Sequence, residues 1–132
     1  MNHEIKLSLI ITGFEESPGE ITQTVGIVPT QTWLKGELID NRAIVKHKEN
    51  GWRLSSGIKE GTFEDHLGSL FSILKPSLDK VITVCKKYHG ELFCALYMSE
   101  GSEDSLPAIH FDKSTISLLS QLGIEVDLYI VP

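Results

Sequence analysis

Residues 91–99, with the sequence ELFCALYMS, decide the fold class of this chain. Alternate side chains of this stretch are apolar on both faces of a strand: Leu92, Cys94, Leu96 and Met98 on one face, and Phe93, Ala95 and Tyr97 on the other. A strand that is apolar on both faces is typical of the interior of a sheet. We therefore expect residues 91–99 to form a central strand.

Other stretches supply partners for this strand. Residues 5–12 (IKLSLIIT) alternate with period two and predict a strand in the body of the sheet. Residues 125–131 predict the final strand, and residues 108–111 a shorter one. Asn50-Gly51 is a strong signal for a two-residue type I′ turn, so residues 43–49 and 52–56 are predicted to form a hairpin. A short strand is expected around Trp33.

Helices are predicted from capping patterns followed by apolar residues at helical spacing. A helix is expected to begin at Ser17-Pro18, with Glu20 completing a capping box. Thr62 and Asp65 predict the start of a second helix, which Pro76 interrupts before a third. A fourth is capped by Asp112 or Ser114. The predicted C-terminal signals are glycines, which adopt the left-handed conformation at low cost: Gly26, Gly90 and Gly123.

These elements predict an α+β fold in a single domain spanning residues 1–132. The expected sheet is mostly antiparallel but mixed, with about five to six strands. About four helices are expected to pack on one face of it.

Charge and composition exclude several classes of function. The chain has 12 Lys and Arg against 18 Asp and Glu, a net charge of −6. This balance argues against nucleic acid or an anionic membrane as the main partner and allows a basic one. No secretory signal is expected, no membrane-length apolar run occurs in the sequence, and Cys85 and Cys94 lack the spacing of a redox or metal motif. We expect a cytoplasmic protein with buried free thiols.

Residues with catalytic chemistry are scattered rather than grouped at the spacing of a known motif. His66, on the flank of the second helix, fits a general base or, more simply, a half-buried histidine that bridges the helix and a loop. His110 and Asp112 are two potential metal ligands without a third. The basic strip Lys46, Lys48 and Arg53 is expected on a solvated outer face. We therefore expect no catalytic residues, no metal and no cofactor.

The order of several features along the chain resembles a known family, the bacterial proteins grouped as domain of unknown function 4279. The features that carry the resemblance are Gly13, Gly26-Ile27, Pro29-Thr30, Gly36, Trp52, Leu54, His66, Leu70, Cys94, Leu122-Gly123 and Asp127. They extend over nearly the whole chain. The resemblance implies a small bacterial cytoplasmic protein, and it implies no particular activity.

Two functional hypotheses of different classes remain open. The first is a non-catalytic binding module, of the immunity-protein kind that masks a basic protein partner, because the chain is small, acidic and without catalytic motifs. The second is a small-ligand binder or minor enzyme with a cleft near Trp33, Trp52 and His66. The expected ligand or partner surface comprises Trp33, Lys35, Trp52 and His66. A homodimer formed through an exposed sheet edge is a third, structural alternative.

Overall fold

The structure is a computed structural model that describes residues 4–39, 45–98 and 108–131. Its strands are β1 (Glu4–Thr12), β2 (Gln31–Trp33), β3 (Gly51–Ser55), β4 (His89–Tyr97) and β5 (Glu125–Val131). Its helices are α1 (Pro18–Val25), α2 (Phe63–Leu74), α3 (Leu78–Lys87) and α4 (Lys113–Leu122). A 3₁₀ turn at Lys75–Ser77 joins α2 to α3 without a loop, so the described helices form three continuous segments where the sequence predicts about four.

The five strands form one sheet in the order β2-β3-β1-β4-β5. Three neighbouring pairs are antiparallel, and β4 pairs with β5 in parallel. Up to β4, the chain follows the split β-α-β order, to which α4 and β5 are added. The α+β class and the mixed sheet are confirmed. The predicted strand at residues 108–111 is wrong, because these residues lead into α4 without pairing.

One face of the sheet carries the hydrophobic core. The core side chains of β1 are Ile5, Leu7, Leu9 and Ile11. They pack with apolar residues from α1, α2, α3 and α4, among them Val25, Leu70, Val81 and Leu122. Complete burial of an aliphatic side chain of this size stabilises the fold by about 1.5–3 kcal/mol. The described helices therefore cover a single face, as the sequence predicts.

Helix ends follow the predicted caps with two exceptions, Ser17 and Gly90. Thr62 and Asp65 form the complete capping box, and Asp112 accepts a hydrogen bond from the backbone N–H of Thr115. Gly26 and Gly123 both have the left-handed conformation. Ser17 occupies the N-cap of α1 but makes no side-chain cap hydrogen bond there. Pro18, which lacks an N–H and favours helical φ, marks this start instead.

The hairpin predicted at Asn50-Gly51 is wrong. β3 begins at Gly51 and pairs with β1 and β2, whereas described residues of the predicted first strand pair with the segment after β2, as in the bridge between Leu38 and Lys46. Residues 43 and 44 lie outside the described residues. Gly51 is not among the glycines with positive φ, which a type I′ turn requires. The small residue is needed because the Trp33 side chain lies where a Cβ would be.

Gly90 is the second correction among the glycines. α3 ends at Lys87, and Gly90 lies inside β4 rather than at a helix end. A Cβ at Gly90 would come within 2.6 Å of Ile124 Cγ2. Close packing between β4 and Ile124, which lies between α4 and β5, therefore explains this glycine.

Candidate functional site

Two of the predicted site residues lie inside the core. Trp52 is completely buried on the helix-covered face, and its Nε1–H donates to Thr22 Oγ1 of α1 at 3.0 Å. His66 is also buried, and its Nδ1 lies 2.6 Å from Ser56 Oγ. His66 thus links α2 to the loop after β3.

The Ser56–His66 pair is poorly suited to nucleophilic catalysis. Burial lowers the pKa of His66, with the nearby Asp65 charge acting in the opposite direction. His66 Nε2 is buried without a hydrogen-bond partner among the described residues. A proton taken from Ser56 would create a buried imidazolium with no acceptor for one of its N–H groups, which is costly. The geometry therefore supports the bridging interpretation of His66.

Trp33 and Lys35 lie away from Trp52 and His66. Trp33, on the edge strand β2, lies over Gly51 on the opposite face of the sheet from Trp52 and stacks on His47 with ring centroids 4.8 Å apart. The Lys35 side chain is exposed, and its backbone N–H donates to Asn50 Oδ1 at 2.7 Å. The structure does not bring the four predicted residues into one cleft.

The described residues form no cluster of metal ligands and contain no reactive thiol. Nowhere in residues 4–39, 45–98 and 108–131 do three His, Cys, Asp or Glu side chains converge as metal ligands. Asp112 is engaged as the cap of α4. Cys85 and Cys94 are buried and unpaired, and burial raises their pKa values to about 12 and about 11. Both are thiols at neutral pH, so they lack the reactivity of a thiolate.

The second face of the sheet, which we call the open face, has no helix packed on it within the described part of the chain. Strand register assigns to it alternate residues of all five strands. Contacts confirm that these side chains share a face, since Ser8 Oγ and Ser55 Oγ are 3.0 Å apart and the Phe93 and Tyr129 rings are 5.1 Å apart.

A groove of about 640 Å³ lies on the open face where β3 ends beside β1. β3 pairs with β1 only from Ser8 onward, whereas β4 pairs with β1 along its whole length. The chain after β3 stays beside β1 through a hydrogen bond from Ser56 N–H to the Leu7 carbonyl. Because β3 does not pair with residues 4–7, the first half of β1 is left as the floor of the groove.

Small side chains make the groove concave. Ser8, Ser55 and Ala95 are among its lining residues, and Phe93 and Tyr97 stand on either side of Ala95 along β4. The sequence suggested that Phe93 and Tyr97 were buried in a central strand. In the structure Phe93 is half-buried and Tyr97 is 38% exposed, so their face is a wall of the groove rather than a second core.

The groove is locally cationic in an acidic chain. Its lining contains Lys6, Arg53 and Lys59 against a single acidic residue, Glu4. Lys6 Nζ lies 5.3 Å from the centre of the Tyr97 ring, and the Arg53 guanidinium carbon lies 5.3 Å from the centre of the Phe93 ring. These are cation–π distances, so the cations are held against the aromatic walls.

Arg53 has an unmet hydrogen-bonding group. Its Nε is buried and has no partner among the described residues. Burial lowers the pKa of Arg53, while the charges of Glu91 and Tyr97 act in the opposite direction. A buried donor left without an acceptor costs about 1–3 kcal/mol. Arg53, expected in a solvated basic strip, is instead half-buried at the edge of the groove.

An acidic cluster lies next to the groove on the same face. It consists of Glu91 on β4 and Glu125 and Asp127 on β5, which the parallel register places side by side. Burial raises the pKa of Glu91 to about 7, assisted by a hydrogen bond and the charge of Asp127 and by the charge of Glu125. Glu125 Oε2 also lies 3.6 Å from His89 Nε2 on the exposed surface.

The groove residues were missed by sequence reasoning, although one signal was present. Residues 91–99 are apolar on both faces, while helices were expected on one face only. An apolar sheet face without a helical layer marks a surface available for binding. Arg53 carried no comparable signal, because its burial depends on the neighbouring β1 and β4 residues.

Comparisons with known proteins give one match. The family model described as "Domain of unknown function (DUF4279)" matches residues 3–131. No curated protein and no solved structure matches the chain. None of the helices that the structure describes is long and apolar enough to cross a membrane. Since the match extends over nearly the whole sequence, the chain belongs to the family of the domain of unknown function DUF4279.

Proposed function

We propose that this protein is a non-catalytic binding module and that its binding surface is the groove on the open face. The observation that carries the proposal is the buried Arg53 Nε without a partner, beside a concave surface of suitable size. Small-molecule sites are commonly concave, mostly apolar and about 300–1,000 Å³ in volume, with a few polar groups that fix the ligand.

The buried Arg53 donor destabilises the free protein, and a ligand that supplied an acceptor would remove this penalty. Arg53 lines the groove, so its guanidinium is within reach of an acceptor on a bound ligand. A hydrogen bond between a guanidinium and a charged acceptor is roughly twice as strong as one between neutral groups. Buried polar groups without a partner are few in folded proteins, and an acceptor on a ligand would account for this one.

Amide chemical-shift mapping tests the proposal. We expect a small-molecule extract of the producing cells to shift amides of Lys6, Ser8, Ser55, Ala95 and Tyr97. The Arg53→Gln variant should lose these shifts. Lys80→Gln, which removes an exposed charge from α3, should retain them. Shifts confined to the helices, or none at all, would refute the proposal.

A second candidate, the masking of a basic protein partner, is favoured by the acidic cluster. Glu91, Glu125 and Asp127 crowd together on adjacent strands, and the raised pKa of Glu91 reflects that crowding as well as its burial. A cationic side chain of a partner would relieve the repulsion between these carboxylates.

A short lysine peptide is a defined probe for this second candidate. We expect it to shift the side-chain carboxyl signals of Glu125 and Asp127 and to bind less tightly as salt is added. Replacing Glu125 and Asp127 by Gln and Asn should abolish binding of the peptide, whereas Glu64→Gln on α2 should leave the binding unchanged. Equal binding by all three proteins would exclude the cluster as a specific site.

A further inference from the structure

We infer that the groove takes a small molecule in which an anionic group, a carboxylate or a phosphate, is attached to a flat ring. The inference rests on the proposed binding function and specifies the class of ligand. Two features carry it: the excess of cations in the lining, and the pair of aromatic walls separated by an alanine.

The anionic group follows from the charges around the groove. Three cationic side chains and one acidic side chain line it, and within the described residues no carboxylate lies within ion-pair distance of Arg53. The planar guanidinium matches two oxygens of a carboxylate or phosphate, a geometry that a lysine does not offer. Lys6 and Lys59 add positive charge from β1 and from the loop after β3.

The ring follows from the spacing along β4. Phe93 and Tyr97 face the same side with Ala95 between them, and residues four apart on a strand are separated by about 13 Å. Ala95 is only 3% exposed and lies below the two rings, whereas Phe93 is half-buried and Tyr97 is 38% exposed. Phe93 is supported from the β5 side by Tyr129, at a ring tilt of 33°. A flat apolar body laid across the exposed parts of Phe93 and Tyr97 would contact both aromatic walls.

The overall charge limits the size of the ligand. The chain has a net charge of −6, so a long polyanion that extended beyond the groove would meet repulsion. The acidic cluster of Glu91, Glu125 and Asp127 borders the groove on the β5 side. A single anionic group, held close to Arg53, is compatible with both facts.

A titration with defined probes tests the inference by amide chemical shifts. Benzoate and phenyl phosphate carry both parts of the ligand, benzyl alcohol carries the ring alone, and acetate and inorganic phosphate carry the anion alone. We expect at least one of the two complete probes to shift the amides of Ser8, Ser55 and Ala95 with roughly millimolar affinity, as is usual for fragments. The stronger of the two identifies carboxylate or phosphate as the natural group.

Variants distinguish the groove from general attraction of anions. Arg53→Gln should weaken the complete probe at least tenfold, and Lys59→Gln about threefold. Lys80→Gln, the matched control on α3, should leave affinity unchanged.

Every other pattern overturns the inference. If benzyl alcohol binds as tightly as benzoate, the claim that the groove recognises an anionic group is refuted. If inorganic phosphate binds as tightly as phenyl phosphate, the claim that the groove recognises a flat ring is refuted. If no probe binds, the ligand class is refuted, and the extract mapping described above still decides separately whether the groove is a binding site.

Discussion

The guanidinium carbon of Arg53 lies 5.3 Å from the centre of the Phe93 ring, and both residues line the groove on the open face. The ring shields the cation from water on one side. It offers no conventional acceptor to the buried Nε–H, which remains without a partner among the described residues. Arg53 is therefore placed at a cost to the stability of the free protein.

Replacing Arg53 by methionine should not destabilise the protein. Arg53→Met retains the apolar stem and removes both the half-buried charge and the unmet donor. We expect the free energy of unfolding to stay equal or to rise by up to about 1 kcal/mol. Denaturant unfolding measures it, with Lys80→Met as the exposed control. A loss of stability larger than that of the control would show that Arg53 has a structural role.

Glu91 should make the protein less stable as the pH rises. Its folded pKa of about 7 lies above the ordinary value of 4.5, so its favourable contribution is fully present below pH 4.5 and is lost as the pH passes through 7. Glu91→Gln imitates the protonated form. We expect this variant to exceed the wild type in stability at pH 8.5, on the order of 1 kcal/mol after allowance for solvent screening.

Thermal unfolding at several pH values provides the measurement for Glu91. The advantage of Glu91→Gln should shrink toward zero at pH 4. A difference of constant size across this range would mean that Glu91 titrates normally in the folded protein.

Asn50 should be a major structural anchor. Its Nδ2 lies 3.2, 3.3 and 3.1 Å from the carbonyl oxygens of Phe14, Glu15 and Glu16, which share its two N–H donors, and its Oδ1 accepts from Lys35 N–H. Asn50→Ala should therefore lower the free energy of unfolding by about 2 kcal/mol. The neighbouring exposed Glu49→Ala should change it by less than about 0.5 kcal/mol. Similar effects of the two substitutions would contradict this role.

The edge strand β5 is the surface on which the expected homodimer would form. Leu128, Tyr129 and Ile130 are 47%, 53% and 70% exposed, and in the described part of the chain only β4 pairs with β5. An antiparallel pair of β5 strands centred on Leu128 would place Val126 opposite Ile130 of the second copy. We expect light scattering to show a mass that approaches the dimer as concentration rises.

Two substitutions locate such an association. Ile130→Lys should give a monomer, whereas Val28→Lys, on a residue that is 82% exposed after α1, should associate like the wild type. A wild-type protein that stays monomeric at the highest attainable concentration would refute the prediction of a dimer.

Local patterns explain which parts of the fold could be predicted. The final strand has the predicted bounds at residues 125–131, and the Thr62–Asp65 capping box forms, because alternation and capping depend on neighbouring residues. The hairpin predicted at Asn50-Gly51 is wrong because contacts with residues distant in the sequence decide the structure there. The Asn50 side chain forms hydrogen bonds with the backbone carbonyls of residues 14–16, and the Trp33 side chain covers Gly51. These contacts override the local preference for a turn.

The groove required knowledge that no local pattern contains. Residues 91–99 correctly indicated an interior strand, but periodicity could not tell whether its second apolar face meets a helix layer or an open surface. For the same reason Trp52 and His66 appeared available for binding and are buried, while Arg53 appeared solvated and is half-buried.

The Arg53 side-chain Nε–H signal in a ¹⁵N-resolved NMR spectrum tests most directly whether the groove is the binding surface. On addition of the small-molecule extract, we expect this signal to move downfield and its hydrogen exchange to slow, because the donor gains a charged acceptor. If backbone amides elsewhere respond while the Arg53 Nε–H signal stays unchanged, the ligand binds at another surface and the groove is not the functional site.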